Sequence, residues 1–137
     1  MRTARQLIGA ALAATVLLAI AGARAQPPAQ PSRTCTVYEH RDFGGAHRTL
    51  GHRDVLRMVN RPALGTSDGV YRYLYEPAWN DRISSFRTAP GCTMTLWEHV
   101  NLGGHHLRSN RDRPYVGDGW NDMASDAVCD CAEGATY

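Results

Sequence analysis

Trp79-Asn80-Asp81-Arg82-Ile83-Ser84-Ser85 is written twice in this chain, and the duplication governs the architecture. Its echo is Trp120-Asn121-Asp122-Met123-Ala124-Ser125-Asp126. A second phrase repeats ahead of each copy: Tyr38-Glu39-His40-Arg41-Asp42-Phe43-Gly44-Gly45 returns as Trp97-Glu98-His99-Val100-Asn101-Leu102-Gly103-Gly104. Each unit therefore holds an aromatic-Glu-His…Gly-Gly phrase followed by a Trp-Asn-Asp…Ser phrase. Internal duplication of this kind describes one supersecondary unit used twice, neither copy able to bury its apolar face alone.

Toward the N-terminus, residues 1–25 read as a secretory signal peptide. Arg2 and Arg5 form a basic start, residues 7–22 are almost uninterruptedly small and apolar, and Ala23-Arg24-Ala25 has the small-x-small pattern of a cleavage site. The apolar run is short for a membrane span, and the mature chain is expected to contain none. Without the leader, 112 of the 137 residues remain, enough for one domain. All 15 basic residues are arginines and three leave with the leader, so 12 remain against 13 acidic side chains. Nothing in that balance points to a nucleic-acid surface.

Four cysteines, Cys35, Cys92, Cys129 and Cys131, lie in the exported part and predict two disulfides. Three pairings are open. Joining Cys129 to Cys131 is strained, so at least one of them is expected to reach back to Cys35 or Cys92.

Residues 26–33 form a Pro-rich spacer, and residues 132–137 a short tail. Between them the texture is strand and turn. Cys35-Thr36-Val37-Tyr38 and Thr93-Met94-Thr95-Leu96-Trp97 are rich in β-branched and aromatic residues, and each leads into a Gly-Gly turn. Residues 46–50 and 105–108 are expected to run back as partners, with later strands at 83–87 and 124–129. Thirteen Gly, seven Pro and no amphipathic helix after the leader predict an all-β domain over residues 34–131, with one motif at 34–91 and the second at 92–131. Thirty-five positions separate Gly45 from Asn80 but only 17 separate Gly104 from Asn121, so the first motif carries about 18 extra residues within 54–77. The tyrosines there (Tyr71, Tyr73, Tyr75) argue for a packed addition, a hairpin or short helix, able to carry a binding surface.

The two phrases resemble the βγ-crystallin superfamily. Tyr38-Glu39…Phe43-x-Gly45 and Trp97-Glu98…Leu102-x-Gly104 are similar to its folded hairpins. Asn80-Asp81-Arg82-Ile83-Ser84-Ser85 is similar to its calcium signature of two Asn/Asp, any two residues, Ser/Thr, then Ser; the second copy departs at its last place, where Asp126 stands for Ser. The resemblance implies an all-β, two-sheet Greek-key sandwich of two motifs with four strands in each sheet. It also implies that Asp81 and Asp122 give side-chain oxygens and Ser84 and Ser125 hydroxyls to Ca2+. Carbonyls of Arg82 and Met123, and of Glu39 and Glu98, complete the set, while Asn80, Asn121, Ser85 and Asp126 brace the turns. Leu102 in an aromatic's place is expected to weaken the second hairpin's packing.

Calcium takes six to eight hard oxygen ligands, which this phrase can supply. The same residues are also ordinary turn chemistry, since Asn, Asp and Ser satisfy backbone N–H groups without a metal. Six histidines invite a transition metal, but His40 and His99, like His47 and His106, recur through duplication. No nucleophile elbow or Ser/His/Asp context is present, so the chain is not read as an enzyme. Two functions fit: an exported calcium-binding module with a structural or cell-surface role, and an exported peptidase inhibitor on the same fold, with a metallopeptidase as its partner.

Overall fold

The computed structural model describes residues 32–60 and 67–133. The leader at 1–25, most of the 26–33 spacer, positions 61–66 of the insertion and the end of the 132–137 tail lie outside the described residues. Eight strands run in chain order: β1 (Thr34–His40), β2 (Gly44–Gly51), β3 (Asp54–Arg57), β4 (Arg72–Tyr75), β5 (Ser85–Thr88), β6 (Cys92–His99), β7 (Gly103–Ser109) and β8 (Asp126–Cys131). One-turn helices at Arg41–Phe43 and Pro77–Trp79 join them.

The strands form two sheets, ordered β2-β1-β5 and β4-β3-β8-β6-β7. Two exchanges make this a Greek key. β3 of the first motif leaves its own sheet and pairs antiparallel with β8 of the second, and Arg113 of the second motif bridges back to Phe86 in β5. Each motif thus supplies backbone to both sheets.

The expected four-and-four arrangement is not what forms. In the first sheet the returning segment is a single bridge, in which Arg113 N–H donates to Phe86 O (2.8 Å) and Phe86 N–H to Arg113 O (3.0 Å). Beyond it the pairing is irregular rather than a ladder: the next backbone bond runs from Val116 N–H to Ser84 O (3.0 Å). In the second sheet β4 adds a fifth strand, pairing parallel with β3 from Asp54↔Arg72 to Arg57↔Tyr75. In its described part the extra segment contributes an antiparallel bridge, Ser67↔Arg72, the edge strand that follows it, and the one-turn helix Pro77–Trp79. A parallel pair cannot be closed by a tight turn, which is why so long a connection is needed.

Alternation along the strands sets the core. Cys35 and Val37 of β1, Leu50 of β2, Leu56 of β3, Phe86 of β5, and Met94 and Leu96 of β6 point between the sheets and are all but fully buried. Burial of each such aliphatic or aromatic side chain contributes about 1.5–3 kcal/mol. Ile83 and Ala124, one in each Trp-Asn-Asp phrase, are also in this core, with Trp79 and Trp120 packed against it. The repeated phrase is consequently anchored from inside.

Both disulfides form, as Cys35–Cys129 and Cys92–Cys131. The first ties one sheet to the other through the core. The second joins residues directly opposite on adjacent strands β6 and β8.

The two hairpins fold alike. Asp42 and Phe43 (φ 56° and 62°) match Asn101 and Leu102 (φ 63° and 55°), and Gly45 and Gly104 both lie at φ 75°. A Cβ on Gly45 would stand 2.7 Å from His40 Cδ2, and one on Gly104 2.9 Å from His99 Cδ2, so glycine is required for the ring to lie over the bend. Tyr38 meets Phe43 edge-on at 5.6 Å between ring centroids. Leu102 offers no such ring, and Trp97 packs against His106 at 4.6 Å instead.

Candidate functional site

The two Trp-Asn-Asp turns meet head to head at one end of the sandwich. Asp81 and Asp122 each adopt left-handed backbone, φ 54° and 57°. Asp81 N–H donates to Ala124 O and Asp122 N–H to Ile83 O, both at 3.4 Å, so each turn reaches the backbone of the other. Asn80 Nδ2 donates to Asp81 Oδ2 (2.8 Å) and Asn121 Nδ2 to Asp122 Oδ2 (2.7 Å), which orients the two carboxylates. Ser84 N–H donates to Tyr38 O (3.0 Å) and Ser125 N–H to Trp97 O (2.9 Å). These bonds dock each turn at the base of its own hairpin, beside Glu39 and Glu98.

Two clefts result. One of about 240 Å³ is lined by Glu39, His40, Asp81, Arg82, Ser84 and Asp122. Its counterpart, about 200 Å³, is lined by Glu98, His105, Gly119, Trp120 and Met123. The first thus gathers residues of both motifs.

The hairpin glutamates are tied down differently. Glu39 accepts from the Arg82 guanidinium and from Ala46 N–H (3.3 Å), and these bonds, the guanidinium's first, hold its carboxyl below the usual range. Glu98 accepts from His105 N–H (3.2 Å) and from the His105 ring (3.0 Å), with the same effect on its carboxyl. Side-chain oxygens of both glutamates are therefore engaged, those of Glu98 within its hairpin and those of Glu39 by its hairpin and by Arg82 of the turn.

Ser85 and Asp126 brace the hairpins rather than the turns. Ser85 Oγ donates to His40 O (2.5 Å) and accepts from Phe43 N–H (3.1 Å). In the second motif Asp126 Oδ2 accepts from Leu102 N–H (3.1 Å), taking over the acceptor half of that task. Asp126 is fully buried, and Arg57 balances its charge: Arg57 Nε lies 3.2 Å from Oδ1 and Nη2 3.1 Å from Oδ2. Burial opposes the guanidinium's charge, but the Asp126 carboxylate outweighs it and raises the Arg57 pKa. Tyr73 of β4 covers Arg57 with its ring, 4.4 Å from Cζ to the centroid. The turn at Asp122 is undisturbed by this replacement, since its dihedral and hydrogen bonds match those at Asp81.

Sequence reasoning does not single out Arg57 or the side chain of Arg82. The signal for Arg57 is Asp126 itself, because a carboxylate in a place of packing needs a cation nearby. Among the described residues the histidines do not converge on a metal-holding group; the cluster with that geometry is Cys35, Cys92 and Cys129, whose sulfurs are already in disulfides.

No protein-family model matches the chain. No curated protein matches it. Solved structures do. A βγ-crystallin domain from Flavobacterium johnsoniae is 26% identical at a TM-score of 0.54, over 73% of this chain and 97% of that one. The N-terminal domain of protein S is 21% identical at a TM-score of 0.55, over 74% and 99%. The βγ-crystallin domain from Clostridium beijerinckii is 20% identical at a TM-score of 0.53, over 70% and 95%.

Proposed function

Because the chain belongs to the βγ-crystallin superfamily, we propose that it is an exported calcium-binding module with a structural or cell-surface role. The observation that carries this reading is the reciprocal placement of Asp81 and Asp122, each in left-handed backbone and each bonded to the opposite turn. Such a turn pair brings hard oxygens of both motifs together, with Asp81, Ser84 and Asp122 lining one cleft. The donor chemistry fits calcium: two oriented carboxylates, hydroxyls at Ser84 and Ser125 without hydrogen-bond partners among the described residues, and backbone carbonyls of Arg82, Met123, Glu39 and Glu98. Calcium there would cross-link the two motifs at the end where they meet. Export is supported by the two disulfides and by the leader-like sequence, and among the described residues no helix is long and apolar enough to cross a membrane.

A peptidase inhibitor needs a rigid segment that projects into a cleft. In the described part of residues 54–77, Arg72–Tyr75 instead lies along β3 as a sheet edge, which favours the calcium reading.

Ligand binding to the folded state adds stability by mass action, about 2.7 kcal/mol at a hundredfold excess over Kd. Thermal unfolding of the chain from residue 26 should shift upward by several degrees in millimolar calcium but not magnesium. The shift should disappear in Asp81→Ala/Asp122→Ala. A midpoint unmoved by calcium in the wild-type protein removes this function.

A further inference from the structure

A third cleft, of about 300 Å³, opens on the outer face of the second sheet and is lined by no residue of either Trp-Asn-Asp turn. Met94, Leu96, Ala127 and Cys129 point into the core. Their neighbours Thr95 and Trp97 on β6, and Val128 and Asp130 on β8, therefore face outward. Thr95 stands opposite Val128 on one side and Arg108 of β7 on the other. Thr95 and Val128 are buried and form the floor. Trp97, packed on His106 at 4.6 Å, makes a wall, and Arg108, Asp130 and Tyr71 complete it. Tyr71 comes from the extra segment of the first motif, just ahead of β4, where its N–H donates to Asp68 Oδ1 (2.7 Å).

The first motif has the same place filled. There Thr36 stands opposite Arg87 instead of a valine. The Arg87 guanidinium lies over the Phe43 ring, 4.1 Å from Cζ to the centroid, and Phe43 meets Tyr38 edge-on. Thr36 and Thr49 share a hydrogen bond between their hydroxyls at 3.0 Å. In the second motif Leu102 stands for Phe43 and Val128 for Arg87, which removes the two covering side chains. Arg108 stands for Thr49 and Asp130 for Ala89, which brings one charge of each sign to the opening. Among the described residues neither of these two forms an ion pair.

We propose that this cleft is a binding site for an uncharged saccharide, with one hexopyranose ring lying against the indole of Trp97. Such a ring offers an apolar C–H face to an aromatic wall and a rim of hydroxyls, each of which both donates and accepts. Asp130 accepts, Arg108 donates and the Thr95 hydroxyl does either, so the polar groups match that rim. An ionic ligand of either sign would meet one like charge here, whereas a neutral polyol meets none. The volume lies at the small end of the range for small-ligand clefts, which have apolar walls and a few placed polar groups. The site uses none of the turn residues and is independent of calcium.

The test is titration of the protein with neutral trisaccharides of glucose, galactose, mannose and N-acetylglucosamine to the millimolar range, followed by calorimetry and tryptophan fluorescence. At least one should bind wild type and change its fluorescence. Asp130→Ala and Arg108→Ala should each weaken that binding about tenfold or more, the cost of one hydrogen bond to a charged group. Leu102→Phe/Val128→Arg restores the first motif's filling and should abolish it. Should that double variant fail to fold, as judged by near-ultraviolet circular dichroism, the two single surface variants carry the test. No heat and no fluorescence change with any of the four sugars overturns the proposal. Binding that persists unchanged in Asp130→Ala and Arg108→Ala lies elsewhere on the molecule and overturns it equally.

Discussion

Arg57 and Asp126 stand directly opposite each other on β3 and β8, a buried ion pair between one motif's third strand and the other's last. In the first motif the same hairpin-supporting place is held by Ser85, which needs no counter-charge. The chain has therefore exchanged a neutral hydroxyl for a charge pair at one of two equivalent sites. Removing one partner of a buried pair leaves the other uncompensated, at about 3–5 kcal/mol, whereas replacing both is often close to neutral. Asp126→Ser should lose about 3–5 kcal/mol in urea denaturation. Arg57→Met/Asp126→Ser should recover most of that loss. If the double variant is no more stable than Asp126→Ser, the pair is not what determines the cost.

Gly45 and His40 give a second pairwise expectation. Left-handed backbone costs a non-glycine residue about 1–2 kcal/mol, and here a Cβ would also meet the imidazole at 2.7 Å. Gly45→Ala should lose about 2–3 kcal/mol by thermal or urea unfolding. His40→Ala/Gly45→Ala should retain only the backbone part. Equal losses in the two proteins would show that the ring moves aside without cost.

The hairpins, the strands that succeed them and the all-β class were legible because they depend on local signals written twice: period-two alternation, Gly-Gly bends and Asx turns. Both Gly45 and Gly104 adopt the backbone those signals demand. Partners distant in sequence were not legible. Arg57 lies in β3, and nothing nearby in the chain marks it as facing Asp126. Disulfide pairing stayed open for the same reason, being decided by which strands become neighbours. The truncated fourth strand of the first sheet was hidden for the same reason, since it depends on Arg113 facing Phe86. Of the candidate site, the residues of the turns were readable from the repeat; the Arg82–Glu39 contact was not, since it joins side chains of two separate phrases.

The two disulfides should differ in worth. Cys35–Cys129 closes 94 positions and is the bridge between the sheets, while Cys92–Cys131 closes 39 and reinforces strands that already share a ladder. In the chain-entropy account the longer loop restricts the unfolded chain more, and removing a native bridge from a small exported domain costs about 2–5 kcal/mol. Cys35→Ala/Cys129→Ala should therefore lower the thermal midpoint more than Cys92→Ala/Cys131→Ala. The reverse order would place the restraint within the second sheet.

Asp54 should make stability fall in acid. Its carboxylate is buried and accepts from Gly51 N–H (2.8 Å), Arg72 Nε (2.7 Å) and Arg72 Nη2 (2.6 Å). Burial works against its charge, but the Arg72 guanidinium and the Gly51 N–H outweigh burial and lower its pKa. A group whose folded pKa lies below its unfolded value, about 3.9 for Asp, adds stability that is fully present above that value. The contribution is lost as pH falls through the folded pKa. Asp68, whose carboxyl is held at about 2 by Tyr71 N–H, the Tyr73 hydroxyl and Val70 N–H, acts in the same direction. Its effect is common to wild type and an Asp54 variant and cancels between them. Asp54→Asn should thus be clearly less stable than wild type at about pH 6–7, and the gap in urea midpoint should narrow steadily below about pH 4. A gap that stays constant down to about pH 2 would mean that the Asp54 charge, and with it the link between β3 and β4, contributes nothing to folding.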